Sequence, residues 1–179
     1  MTHRNNKGGR NRIRQRGFTL VEIAVVLLII GVILAAVTIG QDLYRNAQYQ
    51  RVATTFVQGW QVAYDAHVDA TGLVPGDSQT DPAGRINADG SRLCDDALLN
   101  TFLAAGVTLP DGRAEGEQDR FVYQDSNGNP QSVRVCLQTV DWSVPGSAVG
   151  TYDTRPRNVL VLENLTPSLA RYLDNAIDG

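Results

Sequence analysis

An uninterrupted apolar segment near the N-terminus is the feature that most constrains how this 179-residue chain can fold. No residue from Ile23 to Ile39 carries a charge. The longer segment from Phe18 to Gly40 would measure roughly 35 Å as an α-helix, and the hydrocarbon core of a bilayer is roughly 30 Å thick. The segment therefore predicts a helix that spans a membrane.

Basic residues dominate the chain before this segment, and no acidic residue lies among them. They are Arg4, Lys7, Arg10, Arg12, Arg14 and Arg16. Because basic flanks stay in the cytoplasm, we expect a single pass, with the N-terminus inside and the chain from residue 41 onwards outside. A plain membrane anchor and a secretory signal peptide cut near Ala35 and Ala36 both fit this pattern. Neither explains why an acidic residue, Glu22, begins the apolar run, since a carboxylate in hydrocarbon is costly.

The stretch from Gly17 to Glu22, GFTLVE, with the apolar run after it, resembles the N-terminus of type IV prepilins and type II secretion pseudopilins. The resemblance implies that a prepilin peptidase removes residues 1–17 by cutting between Gly17 and Phe18, and that Phe18 is then N-methylated. It also implies an assembly role for Glu22, which would pair in the filament core with the α-amino group of Phe18 on a neighbouring subunit. Without this motif, Glu22 would be interpreted as a residue that reaches to the lipid headgroups.

This resemblance implies a structural subunit of a type IV pilus-like filament, a minor pilin or pilin-like protein, rather than an enzyme. A type II secretion pseudopilin is one alternative, and a membrane-anchored or secreted soluble binding domain is another. The implied partners are other pilin or pseudopilin subunits, the prepilin peptidase and methylase, the inner-membrane assembly platform and membrane lipid. The protein would lie in the bacterial inner membrane with its head in the periplasm, and would then enter a pilus or pseudopilus.

The charge balance argues against nucleic acid as a partner. Without the six basic residues of the leader, 10 basic and 19 acidic residues remain, a formal net charge of −9. The mature chain contains no lysine, and its arginines after Arg51 are scattered singly apart from Arg155 and Arg157. We therefore expect no broad basic patch of the kind that binds nucleic acid.

Apolar periodicity extends the predicted helix beyond the membrane segment. Apolar residues recur at three- to five-residue steps over residues 43–63, and Gly72 is a stop signal. We therefore expect one helix over residues 18–71, with 18–40 in the membrane or filament core. Its second half would pack on a globular head formed by residues 41–179. The aromatic residues at helical spacing, which we expect in the core of the head, are Phe56, Trp60 and Tyr64.

The rest of the chain predicts an α+β, pilin-like head with a small antiparallel sheet and short helices. Alternating residues on both sides of Asn127 and Gly128 predict a β-hairpin, and residues 157–165 predict a third strand. Short helices are predicted over 95–105 and 166–177.

Two further segments carry weaker signals. Residues 71–92 are rich in Gly, Pro, Asp, Asn and Ser and predict a long exposed or subunit-contact loop. The chain stops on the turn pair Asp178 and Gly179, which suggests that a last strand or tail is missing.

Two cysteines, Cys94 and Cys136, lie in the part of the chain that we expect to be exported. An even number in an oxidising compartment favours one disulfide. It would close a loop of about 40 residues and stabilise the head by roughly 3–4 kcal/mol. Since disulfides in the head are commoner among pilins than among pseudopilins of the resembled family, the pair favours a pilus.

The sequence gives little support to a metal site and none to a catalytic site. Asp125, Asn127 and Asn129 form a weak calcium candidate, but calcium takes six to eight oxygen ligands, and a hairpin turn is the plainer interpretation. We expect His67 to be a solvated helix residue. The chain has neither a nucleophile motif nor a phosphate-binding loop, so we expect no catalytic residue and no cofactor.

Overall fold

The computed structural model describes residues 17–177, so the predicted leader before Gly17 and the turn pair at residues 178–179 lie outside the described residues. The chain divides into two compact units, with the boundary between Gln41 and Asp42. The first unit contains the N-terminal part of one helix, and the second contains the rest of that helix, the other helices and the sheet.

The predicted long helix is present, but it is not α-helical throughout. Helix α1 is Leu20–Arg51, a π-helical segment follows at Val52–Val57, and helix α2 is Gln58–Thr71. The wider i→i+5 turn of a π-helix accommodates two adjacent pairs of apolar residues on the core side, since four of its six residues are buried. Gly72 ends α2 at a φ of 72°, a left-handed conformation that glycine adopts without steric cost.

Four antiparallel strands form one sheet. They are β1 at Leu93–Cys94, β2 at Arg120–Gln124, β3 at Pro130–Pro145 and β4 at Tyr152–Glu163. Strand β3 is central: β1 and β2 pair with successive parts of one edge, and β4 pairs with the other edge. The hairpin predicted around Asn127 and Gly128 is the β2–β3 hairpin.

The second hairpin, β3–β4, is longer than the sequence pattern predicted. The third strand was expected from residue 157, but β4 begins at Tyr152, and β3 continues to Pro145. The two strands pair with each other along this extension. Strand β3 alternates apolar and polar residues there, but β4 has only polar residues and a proline from Asp153 to Arg157. The side-chain pattern therefore gives only a weak signal for the first part of β4, because pairing with β3 rather than burial of side chains holds that part in a strand.

The core lies between the helix and the sheet in the second unit. Phe56 and Trp60 are fully buried, as predicted, and Tyr64 is half-buried. Phe56 packs on Phe121 of β2 at 5.6 Å between ring centroids. Trp60 meets Phe102 edge-on at 5.5 Å, an orientation that aromatic pairs favour.

The two predicted short helices are α3 at Asp95–Ala104 and α4 at Pro167–Ile177. They complete an α+β architecture with a long N-terminal helix, a small antiparallel sheet and short helices, as the sequence predicted. The segment between Thr71 and Leu93 contains neither helix nor strand. It is nevertheless anchored, because Ile86 is fully buried and donates its backbone N–H to Oγ1 of Thr139 at 2.9 Å.

Candidate processing and assembly site

The N-terminus of α1 is capped by three reciprocal hydrogen bonds between Thr19 and Glu22. Oε2 of Glu22 accepts the backbone N–H of Thr19 at 2.7 Å and its hydroxyl at 2.9 Å. In return, Oγ1 of Thr19 accepts the backbone N–H of Glu22 at 3.2 Å. This is a capping box, which satisfies N–H groups that have no partner within the helix.

The capping box gives Glu22 a local role that the sequence analysis did not assign. The signal was available, since Ser or Thr followed three residues later by Glu before an apolar run predicts a capping box. Both hydrogen bonds from Thr19 end on Oε2, and a carboxylate has two acceptor oxygens. Glu22 can therefore cap its own helix and still present an oxygen to a second group.

The apolar surface around this site is fully open in the monomer. Every described side chain from Phe18 to Val37 is exposed, and Phe18 itself is 84 % exposed. Among the described helices, the one that begins at Leu20 is long and apolar enough to cross a membrane. An apolar surface of this extent is covered by lipid or by other helices.

A family model for the prokaryotic N-terminal methylation motif matches residues 12–38. The chain carries a prepilin-type signal. This motif is the hallmark of type IV pilins and pseudopilins, and together with the apolar helix it fits a membrane-anchored, pilin-like subunit. No curated protein and no solved structure matches the chain.

The prepilin-type signal includes the predicted processing boundary. Gly17 has no helical assignment and is exposed, and an added Cβ there would meet no atom within 4 Å. Glu22 lies in the first turn of the helix that follows. The predicted cut between Gly17 and Phe18 would leave the capping box intact, because Thr19 keeps its backbone N–H on the mature chain.

The head contains a disulfide between Cys94 and Cys136, which face each other across β1 and β3. Their Cα atoms lie 4.6 Å apart. Strand β1 has two residues, so the bond ties a very short edge strand to the central one. The even number of cysteines and the oxidising compartment predicted for them had indicated this bridge.

An ionic network that the sequence did not reveal lies beside the disulfide. Arg134 bonds to both carboxylate oxygens of Asp95, at 3.0 and 3.1 Å, and also to Glu163. Arg92 also pairs with Glu163, and Arg120 with Asp95. Hydrogen bonds from Arg120 and Arg134 lower the pKa of Asp95. The network links the two residues that flank β1, Arg92 and Asp95, to strands β2, β3 and β4.

The calcium candidate residues form a hairpin turn. Oδ1 of Asp125 accepts the backbone N–H groups of Asn127 and Asn129, each at 2.8 Å. These bonds, led by the one from Asn129, lower the pKa of Asp125. Within residues 17–177, no group of three or more His, Cys, Asp or Glu side chains could hold a metal ion. The hydrogen bonds of the hairpin turn thus explain why Asp125, Asn127 and Asn129 lie together.

His67 is buried, and the prediction that it is solvated was wrong. Its ring packs against Phe102 at 5.1 Å between centroids, and Nδ1 lies 3.3 Å from the carbonyl oxygen of Leu73. Burial lowers the pKa of His67. The polar residues near it in the sequence suggested an exposed face, but α3 packs over this turn of α2 and covers it.

Asp119 is a second buried titratable group that the sequence analysis missed. It lies immediately before β2 and is 3 % exposed. Among the described residues, its Oδ2 has no hydrogen-bond partner and lies 3.5 Å from Nε of Arg120. Burial raises the pKa of Asp119, and the charge of Arg120 opposes part of that rise.

Proposed function

We propose that this chain is a subunit of a type IV pilus-like filament, specifically a minor pilin or pilin-like protein. It is made as a prepilin, cut between Gly17 and Phe18, and N-methylated at Phe18. The observation that carries the proposal is the prepilin-type signal, in which Glu22 stands at the start of an exposed apolar helix.

The chemistry of assembly follows from the charges at the N-terminus. Cleavage creates a positive α-amino group on Phe18, four residues from the carboxylate of Glu22. In a filament core of packed apolar helices, either charge alone would be strongly unfavourable, whereas a pair is tolerated. We infer that the amino group of one subunit meets Glu22 of its neighbour, and that this pairing sets the axial register between them.

The proposed partners are the prepilin peptidase and methylase, the inner-membrane assembly platform, membrane lipid and other pilin or pseudopilin subunits. The helix would cross the membrane once, with the leader in the cytoplasm and the head in the periplasm. A type II secretion pseudopilin is the alternative, and the disulfide in the head favours the pilus. Loss of surface filaments on deletion supports a pilin, whereas loss of protein secretion with filaments retained supports a pseudopilin.

Mass spectrometry of the N-terminal peptide tests the processing step. The protein should be isolated from membranes of cells that contain a prepilin peptidase. We expect a mature chain that begins with methylated Phe18. An uncut chain, or a new N-terminus near Val37, would instead indicate an anchor or a secretory signal peptide.

Three variants separate the charge of Glu22 from its capping role. Glu22→Gln keeps a side chain that can accept the hydrogen bonds of the capping box, but it removes the charge. Thr19→Ala removes the Thr19 hydroxyl that closes the box and keeps the charge. Glu22→Ala removes the charge and the carboxylate that accepts the two hydrogen bonds from Thr19.

We expect all three variants to be inserted and cut, because the cut lies on the other side of the motif. Glu22→Gln and Glu22→Ala should both be missing from sheared filaments, whereas Thr19→Ala should enter them. The assay compares processed protein in membranes with protein in the filament fraction. Wild-type incorporation of Glu22→Gln would contradict the charge pairing and leave Glu22 as a helix cap.

A further inference from the structure

The outer half of the β3–β4 hairpin forms an arm that the rest of the head does not support. Strand β3 pairs with β2 and β1 only up to Leu137. From Val140 to Arg157, which we call the β-arm, the two strands pair only with each other among the described residues. No side chain of the β-arm is buried. A two-stranded ribbon without a core is marginally stable in water, so a surface that covers it would stabilise it.

One face of the β-arm combines apolar and basic side chains. Val140, Trp142 and Val144 alternate along β3 and therefore share a face. Their partners on β4 are Arg157 opposite Val140, Arg155 opposite Trp142 and Asp153 opposite Val144. Trp142 is 57 % exposed. Trp and Arg are the residue types that contribute most to protein interfaces, and here they lie side by side.

A groove of matching chemistry lies on α2 of the same head. It has a volume of about 620 Å³ and is lined mainly by small and apolar residues, including Val62, Ala66 and Val107. Gly59 packs closely against Pro110 at the base of the groove, since an added Cβ at Gly59 would lie 2.7 Å from Cβ of Pro110. Val62 is 67 % exposed in the groove, which marks an apolar surface without a cover in the described chain.

Acidic residues lie next to this groove. Asp69 and Asp111 are exposed and adjoin the lining residues Ala70 and Pro110 in the sequence. The β-arm is neutral as a whole, because Asp141 and Asp153 balance Arg155 and Arg157. Its Trp142 face nevertheless carries both arginines and only one of the two acids, Asp153. This face is therefore complementary in charge to the acidic border of the groove.

The groove and the sheet occupy different faces of α2. Gln61 and Tyr64 face the pocket that α2 shares with β4, where Asn158 lies, whereas Val62 and Ala66 line the groove. Strand β4 thus lies beside the opposite side of the helix from the groove. No residue of the β-arm lines the groove in the described chain, so we assign an arm docked there to another molecule.

We propose that the β-arm of one copy docks into the α2 groove of a second copy, with Trp142 against Val62 and with Arg155 and Arg157 beside the acidic border. This inference rests on the proposed function. The contact joins two different surfaces, so it does not close on itself, and repeated contacts of this type generate open filaments. It would add a contact between heads to the packing of the apolar helices.

The test is a photo-cross-link from the β-arm in the full chain, expressed in cells that contain the prepilin peptidase. Trp142 is replaced by p-benzoylphenylalanine, which retains an aromatic side chain. We expect a cross-linked dimer in the filament fraction, in which the peptide joined to the arm contains residues 54–70 or 105–110. Mass spectrometry identifies that peptide.

Matched substitutions test the two surfaces separately. Arg155→Glu on the arm and Val62→Glu in the groove should each lower the yield of the dimer roughly tenfold or more, since a like charge or a buried charge at an interface costs several kcal/mol. Arg171→Glu on α4 and Leu103→Glu on α3 place the same new charge at exposed positions outside both surfaces. These controls should leave the yield within about twofold of the unsubstituted chain, the range expected for surface changes away from a contact.

The remaining outcomes contradict the inference. A cross-link to another part of a second copy, to a different protein or to nucleic acid would overturn it, as would no cross-link from processed protein in filaments. Failure of the proposed function is recognised in the same samples, because the chain would then lack an N-terminus at Phe18 or would be absent from filaments.

Discussion

Removal of the disulfide should destabilise the head by an amount that the structure allows us to calculate. The bond joins cysteines 42 residues apart. In the chain-entropy model, a loop of that length contributes about 4 kcal/mol to the free energy of unfolding at 25 °C. We therefore expect the double variant Cys94→Ala, Cys136→Ala to lose about that amount. The double change avoids the free thiol that a single substitution leaves.

Part of the loss in the double variant will come from packing rather than from the cross-link. Cys136 is fully buried, and its replacement by Ala deletes a buried sulfur, which leaves a cavity that costs on the order of 1 kcal/mol. Wild-type protein in the presence of reductant keeps both sulfur atoms and loses only the bond. Comparison of the two samples separates the packing contribution from that of the cross-link.

Urea unfolding of the full chain in detergent provides the measurement. Trp60 is buried beside Phe102, so its fluorescence reports on the core of the head. With an m value of about 2 kcal/mol/M for a domain of this size, 4 kcal/mol corresponds to a shift of the urea midpoint of about 2 M. The midpoint of the double variant should not respond to reductant.

Two results would refute this reasoning. Free thiols on Cys94 and Cys136 in protein purified from the periplasm would show that the bond does not form in the cell. A shift below about 0.5 M in the double variant, with an unchanged m value, would show that the bond forms but contributes little. Faster hydrogen exchange at the start of α3 should accompany the loss, because the bond that ties Cys94 to the central strand immediately before α3 is then absent.

Further predictions concern processing and pH. Gly17→Leu should leave an uncut precursor in membranes, because a bulky side chain blocks the approach of the peptidase to the backbone; normal cleavage on an immunoblot would count strongly against the prepilin interpretation. Asp119 has a raised pKa in the folded state, so the folded protein binds its proton more tightly than the unfolded chain does, and stability declines as pH rises from the ordinary aspartate pKa through the raised one. Asp119→Asn should remove that decline, so that in urea titrations the variant gains stability relative to wild type as pH rises above the ordinary aspartate pKa; parallel pH profiles would contradict this.

Some features of the head depended on contacts that no local pattern contains. The π-helical segment at Val52–Val57 buries four of its six residues in the core of the head, against residues that are distant in sequence. His67 was predicted to be solvated because its neighbours in sequence are polar, but its burial depends on α3, which begins 28 residues later at Asp95. The capping box at Thr19 is different, because a Thr followed three residues later by a Glu is a local pattern that predicts it from the sequence.

The sequence by itself determined the N-terminal chemistry of this protein. The basic leader, the Gly17–Phe18 boundary, Glu22 and the charge-free run lie close together along the chain, and their meaning depends on periodicity and spacing alone. Only the tertiary structure decided which residues of the head face each other across neighbouring strands. The register of β3 places Cys136 opposite Cys94, brings Arg134 between Asp95 and Glu163, and extends the β-arm past the rest of the sheet. The physical reason is that strand pairing joins residues distant in sequence, and backbone hydrogen bonds can form whichever side chains the strands carry.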